Sequence, residues 1–137
     1  MTYKTPMFSK GTTTYKDFDI SFKYNPSTGD LRTVTDNNSI KQSIKNIIFT
    51  LYGDRPFDPN FGAGIHSMLF EPLDQITKIE IENRLFESLL YYEPRIDISR
   101  VSVSSGVDDN SVSITIAYSI KNQATPQSLN VVLSRIR

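Results

Sequence analysis

Residues Tyr91–Asp97, YYEPRID, mark the point where the hydrophobic period of this chain changes. Upstream, Asp74 is placed to cap a helix that carries Ile76, Ile79, Arg84, Leu85, Phe86, Leu89 and Leu90. Pro94 disfavours helix in the residue before it, so the helix is predicted to end at Tyr92. Downstream, Ile96, Ile98, Val101 and Val103 follow a strand pattern, and a phase slip at Ser99–Arg100 predicts a β-bulge. Helices precede this junction and strands follow it. That order decides the fold class.

Beyond the junction, Val112, Ile114, Ile116, Tyr118 and Ile120 alternate strictly, the cleanest strand signal in the chain. SGVDDN before it is a turn, and after NQATPQ the residues Leu129, Val131 and Leu133 alternate again. On the N-terminal side, Asp36–Asn38 offer N-caps to a helix with Ile40, Ile44, Ile47, Ile48 and Leu51 on one face, stopped by Gly53. GDRPFDPNFGAG is too rich in proline and glycine for regular structure, and IHSMLFEP reads as one short helical turn ended by Pro72. Asp19–Thr35 is predicted to be a hairpin around NPSTGD, its first strand, DISFKY, half-burying Ile20, Phe22 and Tyr24. Residues 1–18 show no period and read as an arm ordered only where something holds it. The expectation is an α+β protein: residues 1–35 as arm and hairpin, and residues 36–137 as one domain. In that domain two main helices pack on one face of a C-terminal antiparallel sheet.

Composition narrows the function. The chain has 137 residues, 15 basic and 15 acidic, so its charge gives no reason to seek nucleic acid or an anionic membrane. It has no cysteine and one histidine, His66, which excludes a disulfide scaffold, a thiol nucleophile and cysteine-bearing zinc sites. No apolar run approaches the roughly 20 residues that span a bilayer. The N-terminus lacks the apolar core of a signal peptide. A soluble protein of a reducing cytoplasm is the simplest expectation.

A search for chemistry ends empty. His66 is surrounded by no nucleophile-elbow pattern, and its ordinary reading is a partly exposed side chain on a short turn. Glu71 and Glu93, with Asp54 and Asp58, could form a glycosidase-like carboxylate pair. Fifteen acidic residues make some pair probable by chance, however, and no tryptophan marks a sugar cleft. FGAG is too short to cradle a phosphate, and no lysine follows it. No catalytic residue, metal site or cofactor is assigned.

Weight therefore moves to binding. The loop carries Arg55, Pro56, Phe57, Pro59, Phe61 and Gly62, and at least one phenylalanine is expected to fold back under it. At the junction, Arg95 suits the negative end of the helix dipole and Glu93 does not, so Glu93 needs a partner. Separated by a stiff proline, the two are not expected to pair with each other. Interface and local bracing both stay open on these residues alone.

Taken together, Arg55-Pro56, Pro59-x-Phe61-Gly62, Leu69-Phe70-Glu71-Pro72 and Glu93-Pro94-Arg95-Ile96, in this order, resemble the sheath-initiator family of contractile-tail baseplate wedge proteins. This is the family of phage baseplate assembly protein W and its type VI secretion counterpart. The resemblance covers about residues 36–137. It implies a structural protein of the virion tail baseplate, assembled in the host cytoplasm. Its implied partners are the wedge core-bundle proteins and the tail sheath protein, with tube or hub proteins as further neighbours. It implies that Glu93, Pro94 and Arg95 anchor the chain to the core bundle. Arg55, Pro56, Phe57, Pro59, Phe61, Gly62, Phe70, Glu71 and Pro72 then form a second interface or brace. It also implies strand exchange with sheath subunits, through the strand of Val112, Ile114, Ile116 and Tyr118 or that of Leu129, Val131 and Leu133. The sequence does not say which of these strands is the edge. Some family members carry a lysozyme label, so a tail muramidase is the competing class.

Overall fold

The computed structural model describes residues 15–106, 111–121, 123 and 125–134. The first fourteen residues of the expected arm and most of the SGVDDN turn lie outside them.

Strict alternation along SVSITIAYSI puts Val112, Ile114, Ile116, Tyr118 and Ile120 on one face of a strand, and all five are buried. This strand lies at the centre of an antiparallel sheet. Counting from the N-terminus, and after four short strands described below, the sheet consists of β5 (Ile96–Ser105), β6 (Ser111–Ile120) and β7 (Pro126–Ser134), in the order β5-β6-β7. Register runs Ile96↔Ile120 on one side of β6 and Ile116↔Leu129 on the other. The predicted bulge is present, as a register shift between Ile98 and Arg100. Leu129, Val131 and Leu133 of β7 turn to the same side as the β6 core residues.

Two helices cover that face. The first, α1 (Asn37–Phe49), buries Ile40, Ile44, Ile47 and Ile48; the second, α2 (Gln75–Tyr92), buries Thr77, Ile81, Leu85 and Leu89. Asp74 caps α2 as expected, its Oδ1 accepting from the Thr77 N–H at 2.7 Å. Before α2, Ser67–Phe70 form one 3-10 turn, with Met68 and Leu69 buried. Truncating one of these core leucines or isoleucines to alanine costs about 2–5 kcal/mol.

Three local expectations are corrected. Gly53 does not stop α1, and Leu51 does not lie on its buried face. The helix ends at Phe49, where extended Thr50 donates its hydroxyl to the Asn46 carbonyl at 2.6 Å, and Leu51 is exposed. The long loop then returns to finish the helix, as the Ala63 N–H donates to the Ile47 carbonyl at 3.2 Å. Gly62 allows that return: its φ is +115°, and a Cβ there would lie 2.5 Å from the Thr50 carbonyl oxygen. Second, Asp36 stands at the N-cap of α1 but its side chain does not cap. It faces the opposite way and accepts from the Tyr15 N–H at 3.3 Å.

Third, the strand expected over Asp19–Tyr24 is broken. The hairpin forms as two nested pairs, β1 (Lys16–Phe18) with β4 (Thr33–Thr35) and β2 (Tyr24–Asn25) with β3 (Asp30–Leu31). Between them the Asp19 carboxylate accepts from the Ser21 N–H at 2.9 Å, and the Asp19 carbonyl accepts from the Phe22 N–H. This side-chain turn competes with the ladder, so Ile20, Phe22 and Tyr24 are left exposed. The NPSTGD turn closes as predicted, Asn25 accepting from Ser27 and Gly29.

Candidate docking site

Helix α2 delivers Glu93 to the surface of the core, and the chain reverses there at once. The Ile96 N–H donates to the Glu93 carbonyl at 3.4 Å, closing a four-residue turn with Pro94 in the second position, where proline's fixed φ is favourable. A turn this tight sets residues two apart on the same side. Arg95 Nε therefore donates to Glu93 Oε1 at 2.5 Å and Arg95 Nη2 to Glu93 Oε2 at 2.7 Å, a bidentate pair. The expectation that proline would hold the two charges apart is thus corrected. Proline makes the turn that joins them.

Glu93 is 2% exposed, so its charge is compensated inside the fold and not aimed at solvent. Arg95 is the half-open member. Its remaining Nη1 donates to Asp17 Oδ2 at 3.3 Å and to Ser39 Oγ at 3.5 Å. Ser39 in turn donates to the same Asp17 carboxylate. Tyr15 sets its ring centroid 5.4 Å from the guanidinium carbon. The bond to Glu93, before any other influence, pushes the Arg95 guanidinium above its usual range, so it is charged at every accessible pH. One arginine thereby ties together the end of α2, the start of β5, the first turn of α1 and the N-terminal strand β1. Around it, Asp17, Ser39, Gln42, Ser43, Asn46 and Arg95 line an open polar hollow of about 320 Å³.

The long loop braces the same end of α2. Arg55 lies over the Phe61 ring at 3.4 Å, and Phe61 packs on Tyr92 with centroids 4.8 Å apart. The Tyr92 hydroxyl donates to the Asn60 carbonyl at 2.9 Å, and the Gly53 N–H to the Pro59 carbonyl at 2.8 Å. One phenylalanine is thus folded back as expected, whereas Phe57 is fully exposed. Pro56 lies on the exposed tip beside it. Phe70, Glu71 and Pro72, by contrast, precede α2. They are separated from Glu93 by an 18-residue helix, about 27 Å at the usual rise. The structure does not bring these two groups of residues together.

The sheet settles which strand is an edge. β6 pairs on both sides, and Val112, Ile114, Ile116 and Tyr118 are core. The outer side of β5 is approached by α2, whose Glu82 Oε1 accepts from the Val103 N–H at 2.8 Å. Among the described residues β7, like β5, pairs with β6 alone, and no α2 side chain is hydrogen-bonded to its backbone. Sequence reasoning did not find Asp17, Ser39, Tyr15 or Glu82. Asp17 and Arg95 are 78 positions apart, and neither lies in a pattern that points to the other.

A sequence profile described as baseplate wedge protein gp25 matches residues 34–125, well over half of the chain. The chain belongs to the baseplate wedge protein gp25 family. It is 39% identical over 82 residues to baseplate wedge protein gp25 of Enterobacteria phage T4, a match covering 60% of this chain and 62% of that protein. The match thus spans less than two thirds of the T4 protein. It is 28% identical over 102 residues to baseplate protein W of Escherichia phage P2, covering 74% of this chain and 88% of that protein. Among solved structures, a Geobacter sulfurreducens protein whose name proposes a tail lysozyme superposes with a TM-score of 0.68 at 31% identity. That match covers 73% of this chain and 91% of the other. Membership of the gp25 family makes this chain a structural component of a phage tail baseplate, carried in the virion. No helix among the described residues is long and apolar enough to cross a membrane.

Proposed function

We propose that this chain docks on the helical core bundle of a baseplate wedge and starts polymerisation of the tail sheath by accepting a sheath strand on its sheet. The observation that carries the reading is the asymmetry of the sheet: β5 and β7 are both terminal strands, but Glu82 of α2 takes the Val103 N–H on the outer side of β5, while among the described residues β7 pairs with β6 alone. An edge strand with unpaired backbone groups is the physical requirement for strand addition. Family membership supplies the baseplate setting. In this reading the Glu93-Pro94-Arg95 turn meets the core bundle, with Arg95 as the partly exposed charge and Glu93 as the group that holds it in place.

Charges on an edge strand oppose the addition of another strand. Ser128 and Val132 lie exposed on the outer face of β7, so Ser128→Lys with Val132→Lys leaves the core untouched. Baseplates carrying this double variant should assemble and appear normal in electron micrographs, yet carry little or no sheath. Normal sheath length on those baseplates would sink the strand-addition reading.

The muramidase reading has one point in its favour, the name of the Geobacter relative. The geometry of Glu71 and Glu93 weighs against their acting as a pair. Glycosidase pairs lie roughly 5–9.5 Å apart, whereas Glu71 and Glu93 flank α2 at opposite ends. Glu93 is also engaged through both oxygens. Purified protein added to cell walls should produce no clearing above buffer. Clearing that disappears in Glu71→Gln or Glu93→Gln would reinstate the enzyme.

A further inference from the structure

Helix α2 has two apolar faces, and among the described residues only one is covered by the fold. Thr77, Ile81, Leu85 and Leu89 are buried against the sheet and α1. On the opposite side Ile76, Ile79, Phe86 and Leu90 are 75%, 47%, 41% and 61% exposed. With exposed Asn83 they recur at steps of three, four, three and four residues. That is the 3.5-residue period of a coiled-coil seam, in which one row of a helix keeps facing a partner helix. The buried row steps by four throughout and has no such register. A helix that served only this fold would carry polar residues on its outer side.

We infer that this outer face of α2 is a seam for an amphipathic partner helix with basic flanks. Asn83 occupies a core position of the seam, where a single polar residue fixes register and partner number at a cost in stability. The charged flanking positions are mostly acidic: Glu80 and Glu87 border one side, and Glu82, whose Oε1 accepts from the Val103 N–H, borders the other together with Gln75 and buried Leu89. Arg84, which pairs with Glu80 at 3.2 Å, stands one step further out. A second copy of this chain would set acidic flanks against acidic flanks. A helix with lysine or arginine at those positions gains attraction from the same groups. The seam runs along the side of α2 and ends at Leu90, three residues before Glu93, so it is continuous with the turn proposed to dock. The inference goes beyond that proposal and does not need it, since it stands on the spacing and charge of α2 alone.

The probe is a fluorescent synthetic helix of three heptads, with leucine at both core positions, one central asparagine, and lysine at the flanks. Fluorescence anisotropy with the full-length chain should give saturable binding that weakens with salt. Ile79→Glu with Phe86→Glu should reduce affinity at least tenfold, and unchanged thermal melting by circular dichroism would show that the variant is folded. If that variant melts early, Ile76→Gln with Leu90→Gln serves in its place, with the same loss expected. A peptide of identical composition with the heptad scrambled, and one with glutamate flanks, should each bind at least tenfold more weakly. Equal binding of the scrambled or acidic peptide, or no saturable binding, overturns the inference. Sedimentation that reveals a dimer abolished by the same substitutions also overturns it, by giving the face to a second copy.

Discussion

Glu93 and Arg95, on either side of Pro94, form a bidentate ion pair at 2.5 and 2.7 Å, and the carboxylate is almost wholly buried while the guanidinium is not. This division of exposure changes what a mutation at the site tests. The pair is a structural joint with one charged face left accessible. The docking proposed for this turn would therefore depend on a group that also holds the N-terminal hairpin to the helices.

Removing one partner of such a pair leaves the other buried without compensation. Arg95→Ala is accordingly expected to destabilise the chain by roughly 3 kcal/mol, since stranding a buried charge typically costs about 3–5 and Arg95 is partly solvated. Urea unfolding measures it. The double replacement Glu93→Gln with Arg95→Gln should cost clearly less than the sum of the single changes. Additive losses would mean that the two side chains do not act as a unit.

The loop makes a sharper contrast. Phe61 sits between Arg55 and Tyr92, whereas Phe57 projects into solvent. Phe61→Ala should lower stability by about 1–3 kcal/mol, less than a fully buried phenylalanine because Phe61 is only partly covered. Phe57→Ala should stay within about 0.5 kcal/mol of the parent. Thermal melts of the two variants side by side decide the matter, and equal effects would contradict the loop geometry.

Asp74 links the start of α2 to pH. The Thr77 backbone N–H, and then its hydroxyl, hold the Asp74 carboxyl below the usual carboxylate range. A group whose folded pKa is depressed adds stability above its unfolded pKa, about 3.9, and loses it as pH falls through the lower folded value. Asp74→Asn should therefore flatten the acid side of the stability profile below about pH 4 while leaving its shape between pH 6 and 8 unchanged. An unaltered acid limb in denaturant titrations would remove this helix cap from the account.

What the sequence determined by itself was local. Asp74 and Pro94 set the two ends of α2 because a cap and a proline act on their immediate neighbours. The slip at Ser99–Arg100 announced the bulge, and strict alternation announced β6, because both patterns follow from the geometry of one strand. The family motifs between Arg55 and Ile96 were legible for the same reason, as residues in order along the chain. Local reasoning failed where a side chain had two possible partners. Asp36 left its cap for Tyr15, and Asp19 broke a strand by taking the Ser21 N–H. Only the tertiary structure decided that Glu93 points inward to Arg95, that Asp17 arrives from 78 residues away, and that β6 is central while β7 is a terminal strand among the described residues. These depend on where distant segments meet, since a charge seeks whatever partner the fold brings within reach, and an edge exists only once the other strands have taken their places.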